Sequence, residues 1–365
     1  MKKVLLVEPE YYTKYPPLGL LKFSTYHKEK GDKVLYVRGK VGGLDNYFYD
    51  PDIIYITTLW TYAWRITHET IEYYLNTFPK AEIKVGGIYA SICPEHLKEH
   101  FKDRIELTIG LCDFAEEVVP DYSLVPDFKQ NILFTSRGCL RKCKFCVVHR
   151  IEPEFKAKKT IKPYINPEFK KLTLFDNNFL ASPYWENIIE EIYELKLEVD
   201  FNQGLDARLV NGKVVEKLSL IKPKILRFAY DNIKIGKKVK EVIEKFRAIG
   251  YNSSQIRFYV LYNSEDDTPQ DFLERVRNLM EWGATAYPMK FVPLKPVEKN
   301  EYISPNWTPE LVEMVFKACR VLGRHGGLIS CETLKRKFGE AKTLEEALHL
   351  DPPKKKQKKA YTTLF

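Results

Sequence analysis

Short apolar, β-branched runs recur along this chain at intervals that leave room for one helix between neighbours, and few folds accept that rhythm. In the first third the runs are Lys3–Glu8, Val34–Arg38, Ile53–Thr58, Ile83–Gly87 and Ile105–Ile109, with helical patterns at Leu18–Lys30 and Arg65–Thr77. Alternation of this kind points to βαβ units and a parallel sheet. The expected fold class is therefore α/β, beginning with a doubly wound parallel sheet over residues 1–125. Ligands of such sheets bind outside the carboxyl ends of the strands, which here are Pro9, Thr57-Thr58 and Gly86-Gly87. Pro120 to Asp127, rich in Pro and Asp and without either periodicity, reads as a linker.

A second series starts at Asn131. Ile132–Thr135, Leu172–Phe175, Val199–Asn202, Ile225–Ala229, Ile256–Leu261 and Ala286–Val292 are six strand candidates at even spacing. Trp185–Leu197 and Lys237–Ile249 carry helical apolar stripes, and Thr268-Pro269-Gln270-Asp271 supplies an N-cap, a first-turn proline and an early acid for a third helix. Six such units curve into a partial (β/α)6 barrel of the TIM type, expected over 126–300, with its chemistry at the carboxyl ends of the strands. A small helical part follows over 301–351: Thr308-Pro309 opens a helix, His325-Gly326-Gly327 closes it, and Thr343 with Glu346 forms a capping box. Residues 352–365 read as an unstructured basic tail with five lysines between Lys354 and Lys359, without which the net charge of +9 falls to +4.

At 365 residues and 44% hydrophobic content the chain is long and apolar enough for two or three folded domains, which excludes general disorder. The apolar run after Met1-Lys2-Lys3 stops at Glu8, short of a secretory leader, and no run reaches a membrane span. The expectation is a cytoplasmic protein without membrane contact.

Seven cysteines fit that compartment, because three of them crowd into Cys139, Cys143 and Cys146 instead of spreading in pairs. The triplet follows a predicted strand directly, on a loop at the barrel's catalytic face. Three thiolates in eight residues wrap one iron–sulfur cubane and leave its fourth iron open to a small molecule. Ser136-Arg137-Gly138-Cys139, the C-x3-C-x2-C spacing and Phe145 before the last cysteine resemble the signature of the radical S-adenosylmethionine superfamily. The resemblance covers roughly Asn131 to Lys295. It implies a 4Fe-4S cluster on Cys139, Cys143 and Cys146 whose open iron chelates S-adenosylmethionine. It further implies reductive cleavage to a 5′-deoxyadenosyl radical, and an external flavodoxin- or ferredoxin-like electron donor.

The alternative for the triplet is zinc, with His149 completing a closed Cys3His site. The other candidate contacts follow the strands. Asp176, Asn177 and Asn178 stand where related enzymes bind the methionine amino group, although an Asx turn leaving a strand looks the same. Gln203, Asp206 and Arg208 leave the third strand, Arg227, Tyr230 and Asp231 surround the end of the fourth, and Tyr262, Asn263 and Glu265 follow the fifth. Phe145, Asp176, Asn177, Asn178, Gln203, Arg208, Arg227, Asp231 and Tyr262 form the expected cofactor-binding set. From Arg137 to Lys162 nine basic residues face two acids, an excess that fits an anionic substrate such as a phosphorylated metabolite or nucleic acid, or else a solvated charged loop.

Pro16-Pro17-Leu18-Gly19-Leu20 and Val85-Gly86-Gly87-Ile88-Tyr89-Ala90-Ser91 resemble the cobalamin-binding domain found before the barrel in one large class of these enzymes. The doubled glycine would let the backbone approach a flat ligand. Two departures stand against this. No Asp-x-His-x-x-Gly segment occurs, and Gly110-Leu111-Cys112-Asp113 replaces the usual Gly-Glu-Gly-Glu-like turn. Cys93, Cys112, Cys319 and Cys331 are dispersed and read as buried small residues. The leading expectation is a radical S-adenosylmethionine enzyme performing methylation or other radical C–H chemistry, with cobalamin as a possible second cofactor. The rival is a zinc-containing nucleic-acid-binding module built on the basic tail and a C-terminal helix-turn-helix.

Overall fold

The structure, a computed structural model, describes residues 1–42, 50–322 and 332–349. Strands β1 (Lys3–Glu8), β2 (Lys33–Arg38), β3 (Ile53–Thr58), β4 (Glu82–Gly87) and β5 (Glu106–Thr108) form one sheet in the order β2-β1-β3-β4-β5, every pair parallel. The unbroken apolar runs of β1 and β3 reflect burial on both sides. Leu5, Val7, Ile54 and Ile56 pack into one core with Ile71 and Tyr74, while Val4 and Leu6 pack into another with Leu20. Helices α1 (Leu18–Glu29), α2 (Trp64–Thr77), α3 (Ile88–Ile92), α4 (Pro94–Phe101) and α5 (Asp113–Glu116) complete this half.

The cysteine loop lies between β6 (Asn131–Leu133) with β7 (Ser136–Arg137) and the short pair α6 (Val148–Ile151) and β8 (Lys156–Ala157). There follow β9 (Lys171–Leu174), α7 (Trp185–Glu194), β10 (Glu198–Phe201), α8 (Gly212–Ile221), β11 (Leu226–Ala229), α9 (Gly236–Ala248), β12 (Ile256–Tyr262), α10 (Pro269–Trp282) and β13 (Thr285–Lys290). β6, β9 and β10 are parallel neighbours, as are β11, β12 and β13, and a parallel bridge from Leu205 to Phe228 joins the two sets. The six strands thus stand in chain order.

Period-two alternation assigns their faces. Ile256, Phe258, Val260 and Tyr262 of β12 enter the large core together with Ile243, Phe246, Leu273 and Val276 of the helices. Arg257, Tyr259 and Leu261 point the other way and are only partly buried. The opposite, helix-free face also carries Asp200, Arg227 and Tyr287.

Capping follows the sequence closely. Thr268 Oγ1 accepts from Asp271 N at 3.1 Å, and Gly283 ends α10 in the left-handed region at φ 81°. At Thr343 the hydroxyl accepts from Glu346 N at 3.2 Å, but the Glu346 carboxylate returns to Lys342 N at 2.6 Å, one residue earlier than an ideal capping box. Helices α11 (Pro309–Leu322), α12 (Glu332–Glu340) and α13 (Leu344–Leu348) do not stand apart as a helix-turn-helix: Val312, Val315, Phe338, Leu344 and Leu348 join the same core as the strands. Among the described residues no helix is long and apolar enough to cross a membrane. His325-Gly326-Gly327, Cys331 and the basic tail at 352–365 lie outside the described residues.

Two expectations change here. The segment from Pro120 is no loose tether, because Asp121 accepts from Ser24 Oγ and Lys28 Nζ, each at 2.6 Å, and Tyr122 is buried with its hydroxyl accepting from Ile132 N at 2.8 Å. The doubled glycine at β4 answers to its neighbouring strands. A Cβ on Gly87 (φ +106°) would lie 2.2 Å from Thr58 O, and one on Gly86 would meet the Thr108 side chain at 3.2 Å.

Candidate active site around the cysteine loop

The chain leaves β6, crosses Thr135, and enters β7, which pairs antiparallel with β8 so that Ser136 opposes Ala157 and Arg137 opposes Lys156. This two-stranded ribbon closes the base of the cysteine loop. Gly138 sits at φ +78°, and a Cβ there would lie 2.5 Å from Glu154 O. Only glycine permits both the conformation and the approach. Its N–H donates to Glu152 Oε2 at 2.6 Å, and that buried carboxylate also accepts from Asn177 Nδ2 at 2.9 Å.

Arg137 anchors the loop to the first half of the chain. Its Nε and Nη2 form a bidentate pair with Glu116 of α5, both at 2.8 Å, and Nη1 reaches Glu152 at 3.1 Å. The guanidinium stacks 3.5 Å from the centroid of Phe134. Burial would raise the Glu116 carboxyl, but the Arg137 hydrogen bonds and charge prevail and hold it below its ordinary range. On the far side of the loop α6 packs against α3 of the first half, with Arg150 Nη2 donating to Ile92 O at 3.1 Å. The loop is therefore gripped between the halves.

Across the carboxyl ends of the strands it is tied at two points. Arg141 Nε donates to Asp206 Oδ2 at 2.9 Å, and Lys144 Nζ reaches Asp266 at 3.0 Å. Asp206 also receives Arg208 through N at 3.1 Å and Nε at 2.7 Å, and its Oδ2 lies 3.5 Å from Asn178 Nδ2. Burial works against the charge of Asp206, yet the two arginines keep its carboxyl below the ordinary range. Asn178 Nδ2 is 3.6 Å from Cys139 Sγ, which also accepts from Arg141 N at 3.3 Å. The Asn178 Oδ1 is buried without a partner.

All three cysteines are partly buried free thiols. Burial and then each other's charge raise Cys143, with Arg208 opposing; burial and then Cys139 raise Cys146, although backbone N–H donors at Val147 and Val148 oppose this. Such thiols hold their protons until metal displaces them. The donor set fits a cubane, which places each thiolate on a separate iron and whose potential is tuned by hydrogen bonds to sulfur of the kind Cys139 receives. A single zinc needs its ligands to converge. Among the described residues no three His, Cys, Asp or Glu side chains are grouped around one metal-ion position.

The expected contacts divide. Asn178, Arg208 and Asp231 gather at the loop: Asp231 accepts from Leu261 N at 2.9 Å, and its charge reaches both Arg208 and Cys143. Phe145 stands 37% exposed at the loop's rim. Gln203 is exposed beside Gly204 and makes no hydrogen bond with the described residues. Three of the expected residues stand elsewhere. Asp176 is fully buried and its oxygens are taken by Thr135 N (3.1 Å), Thr135 Oγ1 (2.6 Å) and Ser136 Oγ (2.7 Å), so it clamps the loop entrance and offers no acceptor to an amine. Tyr262 lies on the helix-facing side of β12, packed on Phe272 and Trp307. Arg227 is on the helix-free face but near the amino end of its strand, ion-paired with Asp200. Asp206, named among the candidate contacts, and Arg141, which is not, are the residues that draw the loop to the segment after β10.

The basic excess around the loop also has a structural account. Arg137, Arg141, Lys144, Lys156, Lys158 and Lys162 each pair with a carboxylate of the fold.

No protein-family model matches this chain, and no curated protein matches it. Solved structures do. The cobalamin-dependent S-adenosylmethionine radical enzyme OxsB, in a structure with aqua-cobalamin bound, superposes with a TM-score of 0.58 at 15% identity, over 92% of this chain and 58% of that one. Streptococcus suis SuiB bound to S-adenosylmethionine matches more loosely, with a TM-score of 0.35 at 13% identity over 72% of this chain and 60% of that one. This chain thus spans less than two thirds of either protein's length. The mixed α/β architecture with parallel sheets is thus similar in fold to that of OxsB.

Proposed function

We propose that this protein is a radical S-adenosylmethionine enzyme, with residues 1–125 a cobalamin-binding-like Rossmann domain, 126–300 a partial (β/α)6 barrel, 301–351 a helical extension and 352–365 a basic tail. The observation that carries the reading is the cysteine loop itself, set at the carboxyl end of the first of six parallel strands with Asn178, Asp206, Arg208 and Asp231 drawn toward it. Cys139, Cys143 and Cys146 would hold a 4Fe-4S cluster, which with S-adenosylmethionine supplies a 5′-deoxyadenosyl radical for C–H abstraction. Asn178 offers a buried, unpartnered amide oxygen to an ammonium group, and Arg208 offers positive charge beside the thiolates. Asp206 positions Arg141 and Arg208. The Arg137–Glu116 pair holds the loop against the first domain, where Val147 and Ile151 pack beside its core and exclude water.

Cobalamin is the finer part of this proposal. It is supported by the likeness to OxsB, whose structure contains it, and by the order of strands in the first sheet, which is that of doubly wound ligand-binding sheets. The glycine pair gives no independent support. Methyl transfer to carbon is the reaction that would use both cofactors. A flavodoxin- or ferredoxin-like donor in the cytoplasm would supply the electron.

The test is anaerobic reconstitution of the full chain followed by S-adenosylmethionine and dithionite. Release of 5′-deoxyadenosine that disappears in Cys143→Ala is the expected result. Iron incorporation without any cleavage of S-adenosylmethionine would refute the activity. Added aqua-cobalamin should co-elute with the protein and shift its absorbance; failure to co-elute would remove cobalamin and leave the radical reading standing.

A further inference from the structure

The helix-free face of the six strands is not closed by packing. Ala229 is exposed and Met289 is 41% exposed there, while the helix-facing residues of the same strands are buried. Tyr15 of the first half crosses to this face, donating to Asn202 Oδ1 at 3.2 Å with its ring edge-on to Phe175 at 5.0 Å. One layer toward the amino ends lies a group that neither the cysteine loop nor its neighbours use. β11 and β12 place Arg227 and Arg257 directly opposite each other in register. Neighbouring strands stand about 4.8 Å apart, so the two cations begin side by side.

One carboxylate, Asp200, serves both. It pairs with Arg227, whereas the Arg257 Nε is buried with no partner and its guanidinium hydrogen-bonds to nothing among the described residues. Arg257 lies 5.5 Å from the ring centroid of Tyr287, which meets Tyr259 edge-on at 5.5 Å. Neither tyrosine hydroxyl has a hydrogen-bond partner among the described residues. Burial, and then the charge of Arg227, lower Arg257 from its ordinary value. A half-buried guanidinium beside a second cation, with a buried donor unmet, is an arrangement completed by an anion.

We infer that Arg257, with Arg227, Tyr259 and Tyr287, forms a substrate subsite for a singly charged oxyanion, the chemistry shared by a carboxylate and a phosphodiester. The single charge follows from two arginines against one aspartate. This rests on the reading of the strands as the chamber of a radical enzyme and names the class of its substrate.

The test needs no turnover. The full chain is titrated with acetate and, separately, dimethyl phosphate at constant ionic strength, by ligand-observed NMR and thermal shift. Saturable millimolar binding of at least one probe is expected, and the probe that binds distinguishes carboxylate from phosphodiester. Arg257→Gln should weaken it at least fivefold. Asp200→Asn, which frees the Arg227 fork, should strengthen it at least fivefold, a gain that misfolding cannot imitate. Absence of saturable binding in both wild type and Asp200→Asn, or binding unchanged by Arg257→Gln, would overturn the subsite. Loss of S-adenosylmethionine cleavage with these titrations intact would instead sink the radical reading alone.

Discussion

Replacing Gly138 by alanine separates backbone demand from side-chain chemistry in the cysteine loop. At φ +78° an L-residue costs about 1–2 kcal/mol. The new Cβ would also lie 2.5 Å from Glu154 O, a backbone atom two residues before β8 that cannot swing aside as a side-chain end would. Relief requires the ribbon to open, which strains the charge-assisted bond from Gly138 N to Glu152 Oε2 at 2.6 Å, worth about 1.5–3 kcal/mol. Gly138→Ala should therefore lose about 3 kcal/mol, a large share of the roughly 5–15 kcal/mol available to a folded domain. Urea unfolding of the apo protein reads this as a lower midpoint at unchanged slope. Gly19→Ala in α1 is the matched control, since nothing lies within 4 Å of its added Cβ, and it should be neutral or slightly stabilising. If Gly138→Ala loses less than about 0.5 kcal/mol, the ribbon is not the rigid base described.

Three further outcomes follow from the charges. Glu116→Gln leaves Arg137 with Glu152 as its one carboxylate and should cost about 3 kcal/mol at neutral pH. Because the folded carboxyl lies below its unfolded value, its stabilisation is full above the ordinary carboxylate range and is lost as pH falls through the folded value, so wild type should lose more on acidification than the variant; equal losses would contradict the pairing. His68, buried among His96, His100 and Tyr89, is lowered to about 4 by burial and then by the neighbouring histidines. The unfolded chain takes that proton near pH 6.5, so stability should fall from there to pH 4 by an amount approaching roughly 3 kcal/mol, and a His68→Gln variant should show a flatter profile by denaturant titration. Asp206→Asn removes the carboxylate shared by Arg141 and Arg208 and should weaken S-adenosylmethionine binding on the order of tenfold in equilibrium dialysis; wild-type affinity would take Asp206 out of the site.

Local pattern carried most of the fold. Lys3–Glu8 and Ile53–Thr58 are strands with the bounds the apolar runs indicate, and the six later strands fall where their runs do, within two residues at their amino ends. Where the candidate residues stand follows in part from strand parity. Tyr262 has the parity of Ile256, Phe258 and Val260, so the period-two signal already aimed it toward the helices. Arg227 has the parity of the helix-free face, but its layer along the barrel depends on how the strands are staggered, which no local signal encodes. The Arg137–Glu116 pair, 21 residues apart, and the Arg141–Asp206 pair, 65 apart, belong to the packing of separate elements. They became visible only when the elements were assembled. The carboxylates that pair with the basic residues of the cysteine loop likewise come mostly from distant segments.

The central claim is a cubane held by three thiolates with one iron left free. Electron paramagnetic resonance of the anaerobically reconstituted, reduced protein tests it directly, alongside metal analysis. The account predicts about four irons per chain and a reduced-cluster spectrum that changes when S-adenosylmethionine is added. One zinc per chain, or a cluster signal indifferent to S-adenosylmethionine, would contradict it.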